Sequence, residues 1–232
     1  MAQRATYHHG DLRAALVDAA LELVAQKGVA GLSVAEAARV AGVSSAAPYR
    51  HFASRIALLS SAATAAGRRL SEQMHAAVED LRLTDAGSRT SVEAAVETLA
   101  VLAAVCVRYT LVHGPVFELV LADELQDFPD EERRNVTRGL FDQLLWPAIE
   151  VTGDVMAANP LLRSFTAVVH GFAYLPRGGF TRGFPVDLRG FPTEADLVAD
   201  EAASAVRTLA SAAVVDRAGT ATTRPHAGHS DS

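Results

Sequence analysis

Residues 32–52 read Leu-Ser-Val-Ala-Glu-Ala-Ala-Arg-Val-Ala-Gly-Val-Ser-Ser-Ala-Ala-Pro-Tyr-Arg-His-Phe, a pattern that predicts two short helices joined at Gly42. Ser33 and Glu36 form the S-x-x-E pattern of a capping box, in which two backbone donors at a helix start are satisfied reciprocally. Ala37, Ala38 and Ala41 share one face at helical spacing, and their small side chains let a second helix cross closely. Gly42 supplies a positive φ at little cost, Val43 can pack inward, and Ser44 is a good N-cap for the next helix. A helix-turn-helix of this kind can lay its second helix in the major groove of DNA.

The second helix carries an oddity in Pro48. With Ser44 as N-cap, Pro48 is the fourth helical residue, and its missing N–H removes the bond to the Ser44 carbonyl. A bent or loosened first turn is expected, with the helix otherwise retained. Phe52 reads as the hydrophobic plug into a three-helix core. Ser54 can cap a further helix and leaves Arg55 in its positive first turn. That placement disfavours the helix dipole and suits a bound phosphate.

The segments Tyr7-His8-His9-Gly10-Asp11-Leu12-Arg13, Gly28, Ala41-Gly42-Val43-Ser44 and Tyr49-Arg50-His51-Phe52-Ala53-Ser54-Arg55 resemble the amino-terminal domain of TetR-type bacterial transcriptional regulators. The resemblance is close over roughly the first quarter of the chain and loose beyond it. It implies three DNA-binding helices followed by a larger helical domain that dimerises and binds a small effector. Two positions depart from the family pattern: Pro48 replaces a bulky residue, commonly Leu, and Arg55 replaces Lys with retention of charge. Further along, Tyr109, His113, Phe117, Leu119 and His170-Gly171-Phe172 are similar to a subtype named for a Trp-His-Gly motif, of which only His170-Gly171 stands here.

Charge is sorted along the chain. The net charge of −6 argues against a DNA partner when taken whole. Residues 1–69, however, hold eight Arg or Lys against four acids, a net of +4, while the remainder carries −10. The helix-turn-helix lies in the positive part. The modest excess predicts moderate affinity per monomer and a need for dimerisation.

At 232 residues, half of them hydrophobic and many of them Ala, the chain suits an all-α protein of one or two domains. No uncharged apolar run is expected to span a bilayer, and no signal-peptide pattern opens the chain. The single cysteine, Cys106, excludes an intramolecular disulfide and suits a cytoplasmic setting. It reads first as a small buried hydrophobe, with a redox sensor as the alternative.

Periodicity predicts a first helix from about Asp11 to Lys27, with Leu12, Leu16, Ala19, Ala20, Leu23 and Val24 inward and Gly28 as a left-handed cap. A long helix should extend from Ser54 to about Leu83, then a loop to Thr90. An apolar core helix is expected over 91–112, broken by His113-Gly114-Pro115, and a short helix over 116–125. Pro129 can open a helix through Val151, kinked at Trp146-Pro147, and Asn159-Pro160 can open the next, to about Tyr174. Residues 176–192 read as an irregular Gly/Pro/Arg arm. Thr193 with Asp196 caps a last helix to about Val215, and residues 216–232 read as a disordered tail.

For DNA contact the candidates are Ser33, Ser44, Tyr49 and Arg55 on phosphates, and Ser45, Ala46, Ala47, Arg50 and His51 on the groove side. Small residues let the helix sit deep, and Arg50 alone can make a bidentate guanine contact. The competing readings are a phosphate- or water-facing Arg50 and a core-packed Tyr49. Arg4 belongs to a basic arm or to a frayed terminus. For an effector, Tyr109, His113, Phe117, Phe141, Trp146, Phe165, His170 and Phe172 form an aromatic neighbourhood suited to an apolar or amphipathic small molecule, or simply core packing. The histidines share no HxxxH or HExxH spacing, so neither a metal nor another cofactor is expected. No G-x-S-x-G, P-loop, G-x-G-x-x-G or Cys-pair motif is present, which disfavours a helical enzyme. A protein-binding adaptor reusing the fold is the other class in view.

The resulting expectation is an all-α chain, with a three-helix helix-turn-helix DNA-binding domain (residues 1–55) followed by a helical ligand-binding and dimerisation domain (56–215) and a tail (216–232). Its partners would be double-stranded DNA with a pseudo-palindromic operator, a second copy of itself and a small-molecule effector, with no membrane. The dimer surface would be a four-helix bundle using Val168, Phe172, Val198, Ala202 and Leu209.

Overall fold

The computed structural model describes residues 9–85, 87–175, 190 and 192–222. Among these, every regular element is helical. In chain order they are α1 (His9–Lys27), a 3-10 turn (Val29–Gly31), α2 (Val34–Val40), a 3-10 turn (Pro48–Arg50), α3 (Arg55–Asp85) and α4 (Ser91–His113). Then come α5 (Val116–Val120), a 3-10 turn (Asp123–Leu125), α6 (Glu131–Thr152), α7 (Val155–Tyr174) and α8 (Glu194–Thr222). The all-α expectation therefore holds.

The chain divides into two compact units, one of Met1–Gln73 with Arg108–Phe141, the other of Met74–Val107 with Asp142–Ser232. The unit carrying the helix-turn-helix runs past residue 55, the boundary read from the sequence. It takes in the first part of α3, the end of α4, α5 and the start of α6.

In the first unit, α1 buries Leu16, Ala19, Ala20, Leu23 and Val24 at helical spacing, while Leu12 is only half-buried. Burying each Leu contributes roughly 1.5–3 kcal/mol. Val34, Ala37 and Ala38 of α2 and Phe52, Leu58, Leu59, Ala62 and Ala63 complete the apolar core. The Arg13 guanidinium lies 5.1 Å above the Phe52 ring and donates to Ser61 Oγ at 3.1 Å. Gly28 ends α1 at φ +73°, but with ψ 175° it leads outward rather than into the expected left-handed cap. After α4, Gly114 (φ +95°) and Pro115 break the chain as predicted.

The expected helix over 116–125 is split. α5 ends at Val120, the chain turns at Leu121 and Ala122, and a separate 3-10 turn comes next. α6 opens at Glu131 rather than Pro129, because Asp130 caps it: its Oδ1 accepts the Arg133 N–H at 3.0 Å. Burial works against the Asp130 charge, yet that N–H and the Ser60 hydroxyl (2.7 Å) hold its pKa below the usual range.

In the second unit, α4 starts with a reciprocal capping box. Thr90 N–H donates to Glu93 Oε2 at 2.8 Å, and Glu93 N–H to Thr90 Oγ1 at 3.3 Å. α4 is the one described helix long and apolar enough to cross a membrane, with mean hydropathy 1.7, but Glu93, Glu97 and Arg108 interrupt it, so no uncharged run of that length stands there. Its most apolar window is 61% buried within the protein, as a core helix is. Cys106 on this helix is fully buried, and burial pushes its thiol pKa up to about 12.

α7 begins earlier than Asn159-Pro160 suggested. Asp154 accepts the N–H groups of Met156 (2.7 Å) and Ala157 (3.1 Å), a stronger start signal, and Pro160 is carried inside the helix. α8 runs seven residues beyond Val215, so residues 216–222 are helix rather than tail. Arg217 there donates to the Glu150 carbonyl at 2.8 Å, which ties the extension to the last turns of α6. The expected arm over 176–192 lies mostly outside the described residues, as do Arg4 and residues 223–232.

Candidate nucleic-acid interface

The helix-turn-helix is built from its caps. Ser33 Oγ accepts the Glu36 N–H at 3.4 Å, giving half of the expected capping box. The Glu36 carboxylate is directed instead to Lys27 Nζ (2.6 Å) and Arg39 Nη2 (3.3 Å), and the Lys27 hydrogen bond holds its pKa low. α2 ends in a Schellman pair, with Val43 N–H bonded to Ala38 O (2.9 Å) and Gly42 N–H to Arg39 O (3.2 Å), around Gly42 at φ +71°. The turn at Gly42 is thus the one read from the sequence.

Beyond Gly42 the α-helix expected over 44–51 does not form. Ala47 N–H bonds Ser44 O at 3.0 Å and Arg50 N–H bonds Ala47 O at 3.2 Å, both i to i−3, and Pro48–Arg50 is a 3-10 turn. The physical reason is Pro48, which has no N–H to offer the Ser44 carbonyl. The proline therefore does more than loosen one turn. It also faces inward: Pro48 is buried beside the buried Phe52 in sequence, and Phe52 N–H bonds Pro48 O at 2.9 Å. Two inward anchors hold a tight helical segment whose other residues turn outward. Ser44, Ser45, Ala46 and Arg50 are exposed, Tyr49 is 59% exposed, and Ala47 and His51 are half-buried. Tyr49 is therefore not a core aromatic.

Arg55, expected on a phosphate, already has partners within the protein. Its Nε donates to Leu32 O (2.9 Å) and its Nη2 to Val29 O (2.7 Å), so it holds the carbonyls of the turn leading into α2. Nη1 and Nη2 also reach the two oxygens of Glu124, at 2.5 and 3.3 Å. No sequence pattern pointed to Glu124, which lies 69 residues away.

The eight aromatic and histidine residues read as an effector neighbourhood are shared between the two units. Tyr109, His113, Phe117 and Phe141 belong to the first unit, and Trp146, Phe165, His170 and Phe172 to the second. In the first, Tyr109 and His113, with ring centroids 4.6 Å apart, line a cavity of about 230 Å3 with Leu21, Glu22, Ala66 and Arg69. Tyr109 is buried, which raises its pKa, and its hydroxyl donates to Ala66 O at 3.4 Å. Phe117 is half-buried, and Phe141 is about half exposed. In the second unit, Phe165 is core, Trp146 is 67% exposed, and His170 stacks on Tyr174 with Phe172 half-buried nearby in sequence. Among the described residues no group of His, Cys, Asp or Glu is placed to hold a metal ion.

Of the apolar residues expected at a dimer surface, Val198 and Ala202 are already buried within the chain, where α7 packs on α8. Val168 and Phe172 are half-buried and Leu209 exposed. Leu209 borders a groove of about 480 Å3 along α7 and α8, with Ala157, Leu161, Ala212 and Asp216.

Fold and site together define an all-helical protein with an amino-terminal helix-turn-helix head. Residues 16–62 match the family model described as bacterial regulatory proteins, tetR family. A protein with unknown function from Rhodococcus sp. RHA1 is similar in structure, with 27% identity over 88% of this chain and 98% of that one, at a TM-score of 0.62. A TetR-family transcriptional regulator from Streptomyces coelicolor has 18% identity over 88% and 97%, at 0.55. AibR, solved in complex with isovaleryl coenzyme A and operator DNA, has 16% identity over 84% and 97%, at 0.54. No curated protein matches the sequence. The match to the tetR family model lies in the head, and the whole chain has the fold of TetR-family transcriptional regulators. Such a head on such a fold supports a DNA-binding transcriptional regulator.

Proposed function

We propose that the chain is a homodimeric repressor that grips a pseudo-palindromic operator with two helix-turn-helix heads and is released by a small apolar or amphipathic effector. The observation that carries this reading is the outward presentation of Ser44, Ser45, Ala46, Tyr49 and Arg50 from a segment anchored by buried Pro48 and Phe52. Hydroxyls and backbone N–H groups from Ser33, Ser44 and Tyr49 would meet phosphates, and Ala46, Ala47, Arg50 and His51 with Ser45 would face base edges. Arg55 would meet a further phosphate at the same head, in exchange for its contact with Glu124. In this reading residues 1–55 are the DNA-binding part and 56–215 the effector-binding and dimerisation part, in a cytoplasmic protein.

A second copy would dock through the α7–α8 face, placing half-site centres about 34–36 Å apart. That one chain of this fold can hold both an acyl coenzyme A and operator DNA is known for AibR and supports a regulator with two sites. The cavity of about 230 Å3 beside Tyr109 and His113 is where such an effector would enter. Effector and DNA binding would then oppose each other by reciprocal coupling. Selection from a random duplex pool tests the reading: it predicts an enriched inverted repeat, and enrichment of no sequence would overturn it.

A further inference from the structure

Arg55 has five N–H donors in a planar fork, and the structure shows how most of them are used. One edge is fixed to the protein: Nε on Leu32 O and Nη2 on Val29 O, both main-chain carbonyls of the turn before α2. The other edge, where a phosphate would bind bidentately, holds the Glu124 carboxylate, with oxygens 2.5 and 3.3 Å from Nη1 and Nη2. Both side chains remain about one-third exposed, so an external anion can reach the pair. A carboxylate and a phosphate diester ask the same thing of a guanidinium, and one edge cannot serve both fully.

The position of Glu124 is itself controlled. It lies in the Asp123–Leu125 turn, and buried Arg133 of α6 donates to the carbonyls of Leu125 (2.6 Å) and Phe128 (3.2 Å). The first turn of α6 is in turn tied to α3 by Ser60 on Asp130 and by the Arg68–Glu132 ion pair. A displacement of the α6 start carries the 3-10 turn, and with it the anion, relative to Arg55.

We propose that Glu124 is an internal competitor for the DNA phosphate at Arg55, so that the α5–α6 connection sets operator affinity by holding or yielding that guanidinium. This rests on the DNA-binding reading proposed for the head. With Glu124 in place the Arg55 charge is locally cancelled, and the head presents one cation fewer to the phosphate backbone. Movement of α6 toward Arg55 tightens the clasp and weakens DNA binding, and movement away does the reverse.

The test uses the full chain and a duplex selected by the wild-type protein, with anisotropy titrations from 50 to 200 mM KCl. Glu124→Gln is expected to bind about 3- to 10-fold tighter at low salt, with a salt dependence steeper by about 0.9 per head, the signature of one added phosphate contact. Glu124→Asp, which keeps the anion, should stay near wild type. In an Arg55→Met background, Glu124→Gln should give no gain. Unchanged affinity and slope for Glu124→Gln, or a gain that persists without Arg55, would overturn the proposal. Should Glu124→Gln fail to fold, the carboxyl 13C resonance of Glu124 in the wild-type protein decides: it moves on DNA addition if the clasp yields and stays fixed if the proposal is wrong. A wild-type protein that selects no DNA removes the DNA-binding reading and the clasp together. One that binds DNA yet shows no Glu124 effect removes the clasp alone.

Discussion

A Cβ added to Gly114 would stand 2.7 Å from the Cα of Ala25, so the end of α4 touches the backbone of α1 where only a hydrogen fits. The contact lies beside the Tyr109–His113 cavity and within the unit that carries the helix-turn-helix. Ala25, His113 and Gly114 all line that cavity, so α1 and the end of α4 meet at its wall.

Gly114→Ala should therefore cost about 2–4 kcal/mol. Its positive φ of +95° disfavours a side chain, and the overlap with Ala25 adds the cost of a forced shift. Urea unfolding checks it; a midpoint equal to wild type would mean the junction is loose.

Pro48→Ala restores the N–H that the Ser44 carbonyl lacks. Residues 45–48 should then show more helical 13Cα shifts and the residue-48 amide should be protected from exchange. The lost burial of the ring offsets part of the stability gained. A 3-10 pattern persisting in the variant would show that tertiary packing, rather than the proline, sets this geometry.

Cys106 should resist thiol reagents at pH 8 until the protein unfolds, because its native pKa of about 12 leaves almost no thiolate. The unfolded thiol ionises near pH 8.5–9 and the native one near 12, so the unfolded state binds fewer protons in between. The contribution of the buried thiol to stability is complete below about pH 8.5 and is lost as pH rises toward 12, which denaturation at stepped alkaline pH measures against Cys106→Ala.

Glu97 is bound bidentately by Arg207 at 2.7 and 2.9 Å, and that hydrogen bond lowers its pKa. Its stabilisation is present above the ordinary carboxylate pKa and is lost as pH falls through the lowered one. With Arg207 more than one-third exposed, Glu97→Gln should cost only about 0.5–1 kcal/mol at pH 7 and nothing near pH 2, as read from urea midpoints at the two pH values.

The parts of the fold legible in the sequence were those governed by neighbouring residues. Ser33, Gly42, Ser54 and Thr193 act as caps or turns where the local pattern placed them, and the α1 stripe is buried almost as written. Pattern and structure part where two local signals compete. Asn159-Pro160 was a plausible helix start, but Asp154 with two accepted N–H groups began α7 earlier, and Asp130 displaced Pro129 in the same way. At Pro48 the missing donor was foreseen but its reach was not, since inward packing of the ring is a tertiary fact.

The candidate site divides along the same line. Ser44, Ser45, Ala46, Tyr49 and Arg50 stand outward around the buried Pro48 and Phe52, all within one short segment. The Arg55–Glu124 pair spans 69 residues and leaves no trace in periodicity. Aromatic content along a helix does not say which residues face the core, as buried Phe165 and exposed Trp146 show.

The central claim is that the Ser44–His51 segment enters a groove of duplex DNA, and the affinity of wild type and Arg50→Ala for the selected duplex, from 50 to 200 mM KCl, tests it most directly. Steep salt dependence for both proteins, with Arg50→Ala weaker by about 1–3 kcal/mol and indifferent to the base at one position per half-site, is the predicted result. A flat salt response, with Arg50→Ala indistinguishable from wild type on every site variant, would contradict the account.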